Sequence, residues 1–159
     1  MPTVFIYDSL LNASYNAISC ATLIPNRDFP VRRAFNAQTN KYTVLGLEYV
    51  PFGLAAFVNG LIIEVADSEF AALLGESYRQ VRLDVSYFTG IPTAIDSDII
   101  VFVPLAPAYP TEEYPLNKDY IDACIDGFSR YGKPYALEFL QSTSGWSPDL
   151  LEYALSRLH

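Results

Sequence analysis

The chain has 159 residues, of which 51% are hydrophobic and 18% charged, and its formal net charge is -8. That length and apolar content suit one domain, residues 1–159, with a core that needs no disulfide or metal. The acidic balance argues against a nucleic-acid or anionic-membrane partner, since either requires a basic footprint.

Two cysteines, Cys20 and Cys124, read as buried free thiols in a reducing compartment, because nothing in their spacing demands a bridge. The start Met1-Pro2-Thr3-Val4 lacks a basic leader, and no apolar run approaches the roughly 20 residues of a membrane span. A cytoplasmic location is expected. The single histidine, His159, is the last residue. This removes a Ser-His-Asp triad, a Cys-His pair and a His-rich metal site from consideration. Acid-base chemistry must then come from Asp, Glu, Tyr, Lys or Cys.

In chain order, Thr3 to Tyr7 is β-branched and aromatic and predicts a buried strand. Asp8 and Ser9 suit a turn or helix start, and Leu10 to Cys20 has room for a short helix. Thr22 to Phe29 reads as loop. Val31 to Ala37 and Thr43 to Tyr49 are strands around a polar turn at 38–41. Leu54 to Val58 and Leu61 to Val65 are strand candidates. Asn59-Gly60 between them is either a hairpin turn or a bulge at Gly60 in one bent strand.

Asp67 or Ser68 is expected to cap a helix carrying Phe70, Leu73 and Leu74. Val81, Leu83 and Val85 alternate with polar residues, giving a strand with one wet face, and Ile99 to Val103 is a buried strand. Asn117 begins an amphipathic helix with Tyr120, Ile121, Cys124, Ile125 and Phe128 on its apolar stripe and Gly132 as C′ residue. A second helix runs from Pro134 to Leu140, and a third starts at Ser147-Pro148-Asp149. With strands first and helices last, the class is α+β rather than a repeating βαβ sheet.

Four segments taken together resemble the gamma-glutamylcyclotransferase-like family. Val4-Phe5-Ile6-Tyr7-Asp8-Ser9-Leu10 is similar to the opening strand that runs into Tyr-Gly-Ser-Leu. Val31-Arg32-Arg33-Ala34-Phe35-Asn36 resembles the arginine-bearing second strand. The stretch from Val58 to Val65, with the helix to Leu74 and then Tyr78-Arg79-Gln80-Val81, resembles the central segment, where a helix ends on a catalytic glutamate. Asp119 to Gly127 followed by Phe139 to Trp146 is similar to the helical tail, with its closing Thr-x-Gly-Trp. The ordered match spans residues 3 to about 147.

The resemblance implies a small mixed β-barrel or strongly curved sheet with flanking helices. It implies a cofactor-independent acyl transfer, in which the free α-amine of a γ-glutamyl group attacks its own γ-carbonyl. The products are 5-oxoproline and a released amine or peptide, and the tethered nucleophile brings a high effective molarity. Carried over, Tyr7, Asp8, Ser9 and Leu10 would bind the substrate through loop N–H groups. Tyr78 would join them, and Glu76, partly buried, would be the general acid/base. The partner would be a small molecule bearing a γ-glutamyl group.

Two departures bear on this. Asp8 stands where the family keeps glycine and adds a negative charge beside the expected anion site. Glu76 lies two residues before Tyr78, in a shortened segment without the usual Asp and Arg. The alternative is therefore a non-catalytic relative that binds a small metabolite or a protein partner through the same pocket. Arg33 is expected to pair structurally with a carboxylate, and Trp146 to be a core residue.

Overall fold

A computed structural model of the chain describes every residue except Ser14 and Asn40. Among the described residues, nine strands and four α-helices form a six-stranded mixed sheet and a three-stranded sheet, with the helices flanking them. The α+β class and the curled sheet expected from the sequence are both present.

The six-stranded sheet is built around β1 (Thr3–Ile6). It lies between β5 (Val58–Glu64), antiparallel, and β8 (Ile99–Pro104), parallel. β6 (Tyr78–Leu83) pairs with β8 at one edge. At the other, β2 (Asn16–Leu23) pairs with β5, and the two-residue β7 (Phe88–Thr89) pairs with the end of β2. The smaller sheet joins β3 (Val31–Gln38) and β4 (Thr43–Tyr49) to a short β9 (Thr143–Ser144).

β1 is buried on both faces because its alternate residues serve two cores. Phe5 and Tyr7 point into the space between the sheets, with Leu23, Phe29, Val31, Leu47, Val58, Ile62 and Val101. Val4 and Ile6 point the other way, onto Ile121, Cys124, Ile125 and Phe128 of α2 (Lys118–Ser129) and onto Ala136, Phe139 and Leu140 of α3 (Lys133–Ser142). α4 (Pro148–Ser156) adds Ala154 to this helical core. Trp146, half-buried, packs edge-on to Phe35 and Phe139 and so lies against the core. No helix among the described residues is long and apolar enough to cross a membrane.

Several expectations are corrected. The helix at Leu10 to Cys20 is replaced by a 3-10 turn, Ser9–Asn12, and then by β2, which also takes in Thr22 and Leu23 of the expected loop; Ser14 lies outside the described residues. Cys20 on β2 is exposed, whereas Cys124 is buried as expected. The turn expected at 38–41 includes Asn40, also outside the described residues; Thr39 Oγ1 nevertheless donates to the Tyr42 carbonyl across it.

Asn59-Gly60 is neither a hairpin nor a bulge. It lies inside β5, paired with Thr22 and Ala21, and the register shift falls farther along, between Ala17 and Ser19 of β2, opposite Ile63 and Ile62. Glycine is needed at 60 for close approach: a Cβ there would overlap the Ile6 carbonyl and the Phe5 ring. Phe52–Leu54 form a 3-10 turn where an extended run was expected to begin at Leu54.

α1 (Asp67–Leu74) starts after Ala66, and neither Asp67 nor Ser68 caps it. α2 is capped by Asn117 as expected but ends at Ser129 with Arg130 as its C-cap, and Gly132, at φ 109°, is the N-cap of α3.

Arg33 ties these layers together. Its side chain is 0% exposed. Nε donates to the Tyr7 carbonyl at 2.9 Å, Nη1 to Ser142 Oγ at 3.0 Å and Thr143 Oγ1 at 3.4 Å, and Nη2 to the Asn59 carbonyl and, at 3.0 Å, to Asn59 Oδ1. The expected carboxylate partner is replaced by carbonyl and hydroxyl oxygens. Arg33→Met keeps much of the volume but leaves these acceptors buried and unpaired. It should lower unfolding free energy in urea by at least about 2 kcal/mol, and Arg33→Lys, with one ammonium in place of a fork, should recover little of that loss.

Candidate functional site

The C-terminal end of β1 opens into a cavity of about 50 Å³. Its wall is formed by Phe5, Ile6, Tyr7, Asp8, Leu10, Leu73, Tyr78 and Phe102. The strand delivers Tyr7 and Asp8 to this point because β1 ends there and the chain turns at once into the 3-10 segment. Of the residues expected to bind substrate, Tyr7, Asp8, Leu10 and Tyr78 therefore meet at one cavity. Ser9 opens the 3-10 turn and is not on the cavity wall.

Glu76 is not in the cavity either. α1 stops at Leu74, Gly75 takes φ 60°, and Glu76 is exposed on the turn that follows. The side chain that α1 presents to the cavity is Leu73. The expected partial burial of Glu76 is thus corrected: Leu73 occupies the wall, and the Glu76 carboxylate lies on the surface.

The carboxylate that does reach the cavity belongs to Asp8. Its backbone is extended, and one oxygen, Oδ1, accepts the Leu10 N–H at 3.0 Å, which caps the 3-10 turn. A cap and a pocket wall are therefore the same side chain. The Leu10 N–H belongs to the loop through which an anionic ligand would be bound, and it is already bonded to a carboxylate.

Burial pushes the Asp8 carboxyl up to about 6, against the opposing pull of the Leu10 N–H and the Arg33 charge. Burial also lowers Arg33 to about 10, which leaves it cationic at neutral pH.

The tyrosine hydroxyls around Asp8 are engaged in the framework. Tyr7 donates to the Phe102 carbonyl at 2.6 Å and Tyr78 to the Leu45 carbonyl at 3.1 Å. Tyr120 accepts the Leu45 N–H at 3.1 Å. Tyr7, Tyr78 and Tyr120 all have their phenols raised, chiefly by burial. Cys124 is raised for the same reason. None of these groups ionises near neutral pH, so Asp8 is the one cavity-wall group poised to exchange a proton there. Arg33 has all five of its N–H directions taken up by protein acceptors and offers no donor to a ligand.

Sequence reasoning missed three contributors. Leu73 and Phe102 were legible only as apolar positions, with no sign that they would face a cavity. Tyr120 was placed on the apolar stripe of its helix, and its hydroxyl bond to β4 has no local signal. Among the described residues, no cluster of His, Cys, Asp and Glu could hold a metal ion.

In sequence, no family model matches the chain, and no curated protein matches it either. In structure, it is similar to a solved protein described as a gamma-glutamyl cyclotransferase. The TM-score is 0.58 at 12% identity, over 98% of this chain and 98% of that one. It is also similar to the crystal structure of YkqA from Bacillus subtilis. There the TM-score is 0.57 at 15% identity, over 99% of this chain and 54% of that one. The chain has the gamma-glutamyl cyclotransferase-like fold, and it spans about half the length of YkqA.

The raised Asp8 carboxyl gives a pH signature. Between its ordinary value of 3.8 and about 6, the folded protein retains a proton that the unfolded chain has released. The native state binds more protons there, so this group's contribution to stability falls as pH rises through that window and is level above it. Asp8→Asn removes the contribution. The gap between wild-type and variant urea midpoints should therefore shift in the variant's favour from pH 4 to pH 6 and then stay constant.

Proposed function

We propose that this protein is a non-catalytic relative of the cyclotransferase fold, which holds a small metabolite by its cationic amine at the Asp8 cavity. The observation that carries the reading is the Asp8 carboxylate bonded to Leu10 N–H in a cavity of about 50 Å³. A ligand carboxylate or a developing oxyanion would meet a negative charge there, and a loop donor already in use. An ammonium meets a carboxylate backed by aromatic walls, both of which attract it. The cavity holds roughly one or two waters' worth of volume at about 30 Å³ each, which suits the head of a ligand rather than a whole γ-glutamyl group. The net charge of -8 also favours the approach of cations.

A second reading is favoured by one observation. A carboxyl at about 6 can accept and return a proton near neutral pH. On that reading the protein is an acyl-transfer enzyme, with Asp8 in the role first expected of Glu76. It would cyclise a γ-glutamyl group to 5-oxoproline with release of an amine or peptide.

One set of measurements separates the two. Wild-type protein incubated with a panel of γ-glutamyl amines and peptides should release no 5-oxoproline above the uncatalysed rate. It should bind small primary amines, seen as chemical-shift changes at Tyr7, Leu10 and Tyr78, with binding lost in Asp8→Asn and unchanged in Glu76→Gln. Asp8→Gly, which frees the Leu10 N–H, should gain affinity for 5-oxoproline. Release of 5-oxoproline that Asp8→Asn abolishes would establish the enzyme reading instead, and release that only Glu76→Gln abolishes would overturn both.

A further inference from the structure

Asp8 is the only charged residue on the wall of its cavity, and no side-chain donor beside it is free to meet an anion. The Tyr7 and Tyr78 hydroxyls donate to the Phe102 and Leu45 carbonyls, and the Leu10 N–H donates to Asp8 itself. The rest of the wall is Phe5, Ile6, Leu73 and Phe102. A space of about 50 Å³ takes an ammonium and roughly one methylene behind it. Anything longer must run outward from the cavity.

The way out is marked by burial. Phe5, Ile6, Tyr7 and Phe102 are buried, whereas Asp8, Leu10, Leu73 and Tyr78 are half-buried and form the outer side. On α1, Glu69 precedes Leu73 by four residues, which puts the two on one face of the helix, about 6 Å apart. Glu69 is exposed. It has no ion-pair partner among the described residues, and α1 carries no basic residue. Tyr15 packs against the helical core together with Leu10 and Leu73. Its phenol is raised by partial burial and then by the charges of Glu69 and Asp8, which places both carboxylates near one ring. From the cavity outward, the surface thus runs from the Asp8 carboxylate over two leucines to the Glu69 carboxylate.

We infer that the ligand of this cavity is a linear α,ω-diamine, and that Glu69 is the residue that selects it. The inference rests on the reading of the Asp8 cavity as an amine site. One ammonium pairs with Asp8 inside the cavity. The methylenes cross Leu10 and Leu73, and the second ammonium reaches Glu69 in water. A monoamine leaves Glu69 unused. An α-amino acid is disfavoured at the inner position, because a carboxylate next to the ammonium meets Asp8 with no free side-chain donor to hold it. A branched or bulky amine does not fit the volume.

The test is a set of dissociation constants, from chemical-shift titration, for diaminopropane through diaminohexane, each against the n-alkylamine of the same length. At least one diamine should bind about four- to tenfold more tightly at low salt. About twofold of this comes from having two equivalent ends, and about two- to fivefold from one exposed ion pair. The second part should shrink as salt is raised. Glu69→Gln should remove it and leave the alkylamine unchanged. Glu138→Gln, which removes an exposed carboxylate from α3, should alter neither ligand. Both changes are at exposed positions, and unchanged urea midpoints would show that the fold is kept. Alkylamines that bind through Asp8 as tightly as the diamines do would overturn the inference and leave the amine reading standing. So would a diamine advantage that survives Glu69→Gln, or lysine binding as tightly as diaminopentane. An advantage lost equally in Glu138→Gln would overturn it in favour of a general pull by the net charge. No binding of any amine would overturn the amine reading, and this inference with it.

Discussion

The buried guanidinium of Arg33 is the contact on which the rest of the molecule depends. It leaves β3 and reaches the end of β1 through Tyr7, the start of β5 through Asn59, and the junction of α3 with β9 through Ser142 and Thr143. Phe128 and Phe139 lie about it with centroids 5.0 Å from its Cζ, so two helices meet on the same group. A charge taken out of water without a carboxylate is costly unless every donor is satisfied. Here the satisfaction comes from oxygens of four separate elements, and the guanidinium can stay buried only if all of them are in place. The same side chain fixes the Tyr7 carbonyl, and with it the backbone that carries Asp8 to the cavity.

The sequence made the deep elements legible. β1, β3, β4 and β8 are buried on both faces or nearly so, and their apolar, β-branched runs declare it. α2 and α4 carry both an apolar stripe and a capping side chain, Asn117 and Ser147. β2 was hidden because Asn16–Leu23 is mixed in character and takes its order from pairing with β5 over more than thirty residues of chain, not from its own pattern. Asn59-Gly60 misled for a related reason. Its glycine answers to Ile6, Phe5 and the Tyr135 hydroxyl, which accepts the Gly60 N–H at 3.0 Å, and none of these is local.

The site divides along the same line. Tyr7, Asp8, Leu10 and Tyr78 were legible only through the family resemblance, and the structure brings them to one cavity because β1 ends and β6 begins beside it. Glu76 was misplaced because spacing along a sequence says nothing about which way a helix ends. α1 terminates at Leu74, and the positive φ of Gly75 swings the following residues outward. Leu73, three residues earlier, is the α1 side chain on the cavity wall. The connection between α1 and β6 is only residues 75–77, and Glu76 lies exposed within it.

The sign of the cavity follows from one position. With no side chain at residue 8, a loop of N–H groups at the end of β1 would be a partial positive site, suited to a carboxylate or an oxyanion. Asp8 reverses this in two steps. Its Oδ1 saturates the Leu10 N–H, which removes a donor, and its charge then sets the local potential. Burial resists that charge, and Arg33, on the far side of the Tyr7 carbonyl, supports it. The balance of these two effects puts the carboxyl at about 6, so at neutral pH the loop presents a negative group where the same fold with glycine would present donors. A ligand that adds a positive charge relieves the burial cost that raised the carboxyl, and a ligand that adds a negative one increases it. On the proposed reading, the cavity's preference for a cation rests on the electrostatics of Asp8, whose backbone Arg33 anchors through the Tyr7 carbonyl.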